Sequence, residues 1–307
     1  MSLAEIATAT RAAHAAAAPA TVAIGRHARG AGVVVAPDRV LTSAHNLRDR
    51  TTQVTFADGT HAQGAVVGSD PDHDIVVLDV PTGDATPLTW SDDETEVGDA
   101  VFALARGRGG DRITAGFVSG VGRSFRGPRG RRVNGAVEHT APLARGSSGG
   151  PLVDAEGRLV GLNTHRLGDG FYLALPADAD LRQRVDALVA GRHLRSRRLG
   201  VVIVPGPQAA KLRRRVGLPE APGLLVRAVV EGSPAAAAGL AEGDLVTAVD
   251  GVPVPSVDDL WDALEAAADR PSVEVTLVRG VDERTVTVTF PDPAAEADGT
   301  EDDAPAG

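Results

Sequence analysis

A chain of 307 residues is longer than a single core usually grows, so two domains are expected. Apolar residues make up 43%, charged residues 23% and aromatics only 3%, the balance of a globular protein with aliphatic cores, and the absence of cysteine excludes disulfides, thiolate catalysis and thiolate metal sites. The net charge of −10 opposes phosphate backbones and excludes a general nucleic-acid binder; nearly all the basic charge is Arg, with Lys211 the one lysine.

Residues 1 to 20 read as an N-terminal extension. Met1-Ser2-Leu3-Ala4-Glu5 lacks a basic n-region, and the Ala-rich stretch Ala12 to Ala20 is interrupted by His14 and Pro19, so no secretion signal is read. No run approaches the ~20 apolar residues of a membrane span. As written, the chain reads as a soluble cytoplasmic protein.

Residues 21–177 show short Val/Ile/Leu runs bounded by Gly, Asp and Pro, such as Gly32-Val33-Val34-Val35, Ile75-Val76-Val77-Leu78 and Leu159-Val160-Gly161-Leu162. That spacing predicts an all-β sandwich or barrel. Residues 178–197 read as a helix and linker. Leu181, Val185, Leu188 and Val189 recur at helical spacing over Asp178 to Ala190, Gly191 ends the helix, and Arg192 to Arg198 connects onward.

A second domain is expected over residues 198–290. Ser233-Pro234 opens a short Ala-rich helix closed by Gly239, and Ser256 with Asp259 forms a capping-box-like start for a helix from Val257 to Ala267. Strands alternate around them, including Val273-Glu274-Val275-Thr276-Leu277 and Thr285-Val286-Thr287-Val288-Thr289, where apolar and polar residues alternate. Residues 291–307 are acidic and poor in apolar residues, a composition that predicts a disordered tail.

Three segments of the first domain carry chemistry: Val40-Leu41-Thr42-Ser43-Ala44-His45, Asp70-Pro71-Asp72-His73-Asp74-Ile75, and Arg145-Gly146-Ser147-Ser148-Gly149-Gly150-Pro151. A serine hydroxyl needs an imidazole to take its proton, and a carboxylate to hold that imidazole in one tautomer. The developing oxyanion needs preformed donors, and glycines flanking the serine let backbone N–H groups converge. The order His, Asp, Ser is that of chymotrypsin-type enzymes and not of subtilisins or α/β-hydrolases. From this pattern alone Asp70, Asp72 and Asp79 compete with Asp74. His61, His73 and His139 lack metal-ligand spacing, so no metal and no cofactor are assigned.

The three segments resemble the HtrA (Deg) proteases. Thr42-Ser43-Ala44-His45 is similar to that family's Thr-Asn-Ala-His, and Asp70 to Leu78 to its Asp-x-x-x-Asp-Ile-Ala-Leu, which selects Asp74. Thr114 to Ser119 with Gly122-Arg123, Arg145 to Leu152, and Gly161-Leu162-Asn163-Thr164 match further family segments, over about residues 21 to 290. Ser147 stands where Asn is usual and Asn46 where Val is typical. The resemblance implies a mainly β chymotrypsin/trypsin-like double β-barrel followed by a smaller α+β PDZ domain. The implied catalytic residues are His45, Asp74 and Ser148, with an oxyanion hole from Gly146, Ser147 and Ser148. Implied substrate-binding residues are Leu143, Leu162, Asn163, Thr164 and His165, the last on a short loop from Thr164 to Gly170. The Arg-rich segment Arg123 to Arg132 falls at the family's regulatory loop and otherwise reads as a solvated hairpin.

Leu199-Gly200-Val201-Val202-Ile203-Val204 resembles the carboxylate-binding loop and first groove strand of HtrA-type PDZ domains, where a peptide C-terminus adds as a strand. Val201, Val202, Ile203, Leu260 and Leu264, with Leu199 and Gly200, are the implied peptide-binding residues, and core packing is the other reading of the apolar ones. The resemblance thus implies ATP-independent cleavage of unfolded or flexible polypeptides, with hydrophobic peptide C-termini as partners. The rival reading is a catalytically silent peptide-binding or chaperone-like protein on the same fold. Family members are often in the periplasm or envelope and form homo-trimers through N-terminal segments; residues 1 to 20 hold no aromatic residue, which speaks against a trimer here.

Overall fold

The computed structural model describes residues 3–127, 130–194, 197–268 and 270–291. Beyond Pro291 the expected acidic tail lies outside the described residues, as do residues 195 and 196 of the connecting segment. The chain divides into two compact units, Met1–Arg195 and Ser196–Gly307.

The first unit opens with α1 (Leu3–Ala17), where the sequence predicts only an extension. Ala13 and Ala17 are completely buried and Ala9 is half-buried against the same core, an i, i+4 stripe of methyl groups too weakly apolar to announce itself in the sequence. Arg106 holds the following turn, donating from Nε to Thr21 O at 2.9 Å and from Nη2 to Ala18 O at 3.1 Å. These bonds satisfy a guanidinium that is otherwise nearly buried.

Two closed barrels follow. The first joins β1 (Thr21–Ile24), β2 (Gly30–Ala36), β3 (Arg39–Ser43), β4 (Thr51–Thr55), β5 (His61–Asp70) and β6 (Ile75–Asp79) in the order β1-β2-β3-β6-β5-β4. The second joins β7 (Ala100–Gly107), β8 (Gly110–Arg126), β9 (Arg132–His139), β10 (Pro151–Val153), β11 (Leu159–Gly168) and β12 (Phe171–Pro176) in the order β10-β11-β12-β9-β8-β7. Closure removes unpaired sheet edges, and the aliphatic runs read in the sequence are buried on both faces of their strands, as in Ile75 to Leu78. Ile24, Leu41, Ile75 and Leu78 of the first barrel, and Leu152, Leu159, Leu162 and Leu173 of the second, are completely buried, on both faces of the barrel walls. The unit ends on α2 (Ala179–Val189), whose N-cap Asp178 accepts from Leu181 N at 2.9 Å. Leu181, Val185 and Leu188 form its buried stripe, and Gly191 follows at φ 83°.

The second unit is a sheet ordered β13-β14-β15-β17-β18, from β13 (Val201–Val204), β14 (Leu224–Val229), β15 (Leu245–Val249), β17 (Ser272–Arg279) and β18 (Asp282–Thr289), with β16 (Val252–Pro253) paired to β15. Its helices are α3 (Gly206–Arg215), α4 (Pro234–Ala237) and α5 (Val257–Ala266). Ser233 caps α4, and Ser256 with Asp259 forms both bonds of a capping box on α5. Asp244, completely buried, accepts two bonds from Arg279 at 2.7 and 2.8 Å and one from Ala241 N at 2.9 Å. That fork satisfies a carboxylate which would otherwise be costly in a core.

Candidate active site

The strand register brings His45 and Asp74 together. β3 and β6 are neighbours with Ser43 opposite Ile75, so the turn after β3 and the turn before β6 lie side by side. Ala44 N donates to Asp74 O at 2.9 Å. The Asp74 carboxylate then receives His45 N on Oδ1 at 3.0 Å and His45 Nδ1 on Oδ2 at 2.6 Å. Asp74 is 1% exposed and has a left-handed backbone (φ 59°), which Asp tolerates better than most residues.

The competing carboxylates are engaged elsewhere. Asp79 is paired with Arg39. Asp70 is buried and bonds His73 Nδ1 at 2.9 Å and Arg184 Nη1 at 3.0 Å. Burial by itself would raise the Asp70 carboxyl, but His73 and Arg184 outweigh it and hold it below the usual carboxylate range. This network pins the Asp70–Asp74 turn to α2 from behind. Asp72 is also buried.

Ser148 lies in the turn before β10, on the other barrel. Gly146 (φ 85°) and Gly149 (φ 81°) flank it, and a methyl at either would fall 2.6 Å from Ala28 O or 2.4 Å from Ala31 O. Only glycine permits this backbone and this approach to the first barrel. Ser148 Oγ donates to Thr164 O at 2.8 Å, while Thr164 Oγ1 lies 3.4 Å from Asp74 Oδ2. Thr164 therefore bonds both Ser148 and Asp74.

The amides of the turn divide into two sets. Ser147 N donates to Ala144 O, Gly149 N to Asn163 O and Gly150 N to Ser147 O. Among the described residues, the amides of Gly146 and Ser148 donate to no backbone carbonyl. Ser147, read from the sequence as part of the oxyanion hole, has its amide committed inside the turn and its side chain buried.

Two expected substrate-binding residues are also buried. Leu162 is completely buried. Asn163 is completely buried and donates from Nδ2 to the Gly150 and Pro151 carbonyls at 3.0 and 3.1 Å. Consecutive on β11, the two side chains point to opposite faces of the strand, and both faces are packed here. Leu143 is half-buried against a cluster of second-barrel residues that includes Val101, Leu152 and Ala174. Thr164 and His165 do reach a cleft of about 360 Å³, lined also by His45, Asp74, Phe125, Arg126 and Gly127. The expected loop from Thr164 is the β11–β12 hairpin, with His165 opposite Leu173. His165 stacks on Phe125 at 5.9 Å between ring centroids, so the Arg-rich hairpin between β8 and β9 forms one wall of the cleft. Nothing in the spacing of the sequence reveals that contact.

His139 has a structural role that the sequence hides. It is completely buried, bonds Asn163 Oδ1 through Nε2 at 3.0 Å, and its Nδ1 has no partner. Burial pushes its imidazole down to about 4 despite the Asn163 bond. The unfolded chain therefore takes up a proton near pH 6.5 that the folded chain refuses until about pH 4, and stability falls as pH drops through that window. The loss is on the order of 3 kcal/mol. His139→Gln, which retains a donor toward Asn163 without titrating, is expected to remove that part of the acid destabilisation. Urea midpoints at pH 7.5 and 4.5 check it; an unchanged difference between the two pH values would refute the assignment.

In the second unit, Leu199, Leu260 and Leu264 are buried in the core, while Val201 and Ile203 are half-buried against it. Leu260 and Leu264 lie one turn apart on the inner face of α5 and pack in one cluster with Leu199. Val202 is 50% exposed on β13, an edge strand of the sheet. Gly200 takes φ 79°, and its carbonyl accepts from Val230 N at 2.8 Å.

Among the described residues no group of three or more His, Cys, Asp or Glu side chains could hold a metal ion, and no helix is long and apolar enough to cross a membrane.

Comparison with known proteins agrees with both units. The family described as Trypsin-like peptidase domain matches residues 30–162, and the family described as PDZ domain matches residues 225–279. The chain is 34% identical over 285 residues to a probable periplasmic serine endoprotease DegP-like of Rhizobium meliloti, covering 88% of this chain and 55% of that one. It is 31% identical over 264 residues to a putative serine protease HhoA of Synechocystis sp., covering 81% and 66%. The chain thus spans about half to two thirds of the length of these curated relatives. A structure of the HtrA-type protease AlgW with a decapeptide shares the fold, with a TM-score of 0.74 at 24% identity over 92% of this chain and 99% of that one. The serine endoprotease from Yersinia pestis superposes with a TM-score of 0.67 at 26% identity over 91% and 96%. A trypsin-like double barrel followed by a PDZ unit, in a sequence aligned with these relatives across both, places the chain in the HtrA family of serine proteases.

Proposed function

We propose that the protein is a serine endopeptidase that cuts unfolded or flexible polypeptides through an acyl-enzyme on Ser148, without ATP. The observation that carries this reading is the two-bond clamp of Asp74 on His45, with Thr164 bonding both Asp74 and Ser148. A proton held on Nδ1 by Asp74 leaves the lone pair on Nε2 as the base. Ser148 leaves the Thr164 carbonyl by rotating about χ1, gives its proton to Nε2 and attacks the peptide carbonyl. The amides of Gly146 and Ser148 receive the oxyanion. His45 then passes the proton to the leaving amine, and water repeats the sequence in reverse to release the acid. The glycine-flanked turn and the edge of the Thr164–His165 strand leave room for an extended substrate backbone, which an unfolded segment supplies and a packed domain does not.

The PDZ unit is assigned to peptide C-termini, which would add to the open edge at β13. Its role is to recruit substrate or to regulate the first unit.

The resting bond of Ser148 to Thr164 O is the one observation favouring the rival reading, a peptide-binding protein without turnover. Labelling by a fluorophosphonate, followed by intact mass, separates the two. Wild type is expected to take one adduct and Ser148→Ala none, with faster labelling when a hydrophobic C-terminal peptide is present. Folded wild type that never labels, with or without peptide, would leave the binding-only reading standing. Labelling that ignores the peptide would remove the regulatory role of the PDZ unit.

A further inference from the structure

Ser148 and His45 sit on different barrels, so their separation depends on what ties the barrels together at that point. Asn46, the residue after His45, makes such a tie. It is 2% exposed, and its Nδ2 donates to Thr42 Oγ1 at 3.0 Å and to the backbone carbonyl of Ser148 at 2.8 Å. A carbonyl can only accept, so this contact fixes which way the carboxamide points. Ser148 O also accepts from Ala31 N at 2.9 Å, and Thr42 Oγ1 donates to Ala31 O at 2.6 Å. Thr42, Asn46, Ser148 and Ala31 thereby close a ring of hydrogen bonds across the junction. The backbone of Asn46 is held as well, its carbonyl accepting from Arg29 Nε at 2.8 Å.

The space for this side chain is made by Gly30. A methyl at position 30 would lie 2.1 Å from Asn46 Cγ and 2.2 Å from Nδ2, so any larger residue there displaces the carboxamide. Glycine at 30 and asparagine at 46 therefore form a matched pair. An apolar residue at 46 would fill the space but leave Ser148 O with one donor fewer.

Resting on the reading of Ser148 as nucleophile, we propose that Asn46 is a positioning residue, its carboxamide holding the backbone of Ser148 in register with the His45 ring. It touches no reacting atom; it sets where the Ser148 hydroxyl is carried when it turns toward His45. Losing it loosens one hydrogen bond at a half-buried junction, an effect of about tenfold on the rate of attack.

The test is a double-mutant cycle on the full chain, read as the rate constant for fluorophosphonate labelling and as kcat and KM on a flexible peptide. All rates are taken well below each variant's melting temperature. Asn46→Ala and Gly30→Ala are each expected to slow labelling and lower kcat about tenfold with KM unchanged. The double variant is expected to be no slower than the slower single one, because both remove the same bond. Asn46→Val, which refills the space without a donor, gives the same loss and stands in should Asn46→Ala fail to fold. Labelling of Asn46→Ala or Asn46→Val at the wild-type rate overturns the proposal, as do losses in the two single variants that multiply in the double. A purely structural role would lower the melting temperature and leave the rates alone. An unlabelled wild type overturns the nucleophile assignment itself, an outcome distinct from normal labelling in the variants.

Discussion

Ser148→Ala is expected to lower kcat on a flexible peptide by about 10⁶-fold while the protein stays folded. The loss is this large because nucleophile, base and orienting carboxylate act as a unit, so removing the first leaves the other two without a proton to move. The fold should survive because the hydroxyl makes a single bond, to Thr164 O, at a half-buried position. Losing it costs about 1 kcal/mol. Peptide hydrolysis followed by mass spectrometry, alongside a thermal melt, checks both halves. Adding His45→Ala to Ser148→Ala should change kcat little further, because the effects within such a unit are not additive. Activity within tenfold of wild type in Ser148→Ala would sink the assignment.

The second large effect is expected at Asp74→Asn, about 10⁴-fold in kcat. The geometry says how. Oδ1 accepts from His45 N, and an asparagine oxygen can keep that bond. Its amide nitrogen then takes the place of Oδ2 and donates toward His45 Nδ1, where the carboxylate accepted. The ring is driven to the tautomer with its proton on Nε2, facing Ser148, and it stops being a base there. Backbone strain does not increase, since asparagine accepts a left-handed φ as readily as aspartate. The variant should therefore melt within a few degrees of wild type and label with fluorophosphonate far more slowly. Rapid labelling would show that Asp74 does not govern the tautomer of His45.

Much of the architecture was legible in the sequence because it rests on local chemistry. Short aliphatic runs between turn residues predict the strands, and Ser233 and Ser256 predict helix starts where caps are found. Leu and Val announce the apolar stripe of α2, and Leu181, Val185 and Leu188 are buried. The stripe of α1 has no such signature because alanine carries little hydrophobic signal, although packed methyls suffice once a barrel surface meets them.

The site was legible in a different way. Glycines around Ser148, the His-Asp-Ser order and the resemblance to HtrA proteases pointed to these residues without fixing any distance. The sequence left four carboxylates in competition until the resemblance chose one, and the register of β3 against β6 puts that one on His45. It also nominated Leu162, Asn163, Leu199, Leu260 and Leu264 for binding, and all five turn out to be buried. A motif names positions, whereas tertiary packing on each face of a strand or helix decides which side chains remain open.

Residue types and their short-range spacing determined where the backbone turns, which segments bury apolar faces, and which three chemistries are available. Tertiary structure alone decided that Phe125 stacks on His165, that His139 is buried beside Asn163, and that Asn46 reaches the carbonyl of Ser148, 102 positions further along the chain. The physical reason is range. Propensity and capping act over a few residues, whereas these contacts exist only after two barrels, each closed by its own hydrogen bonds, have been pressed together.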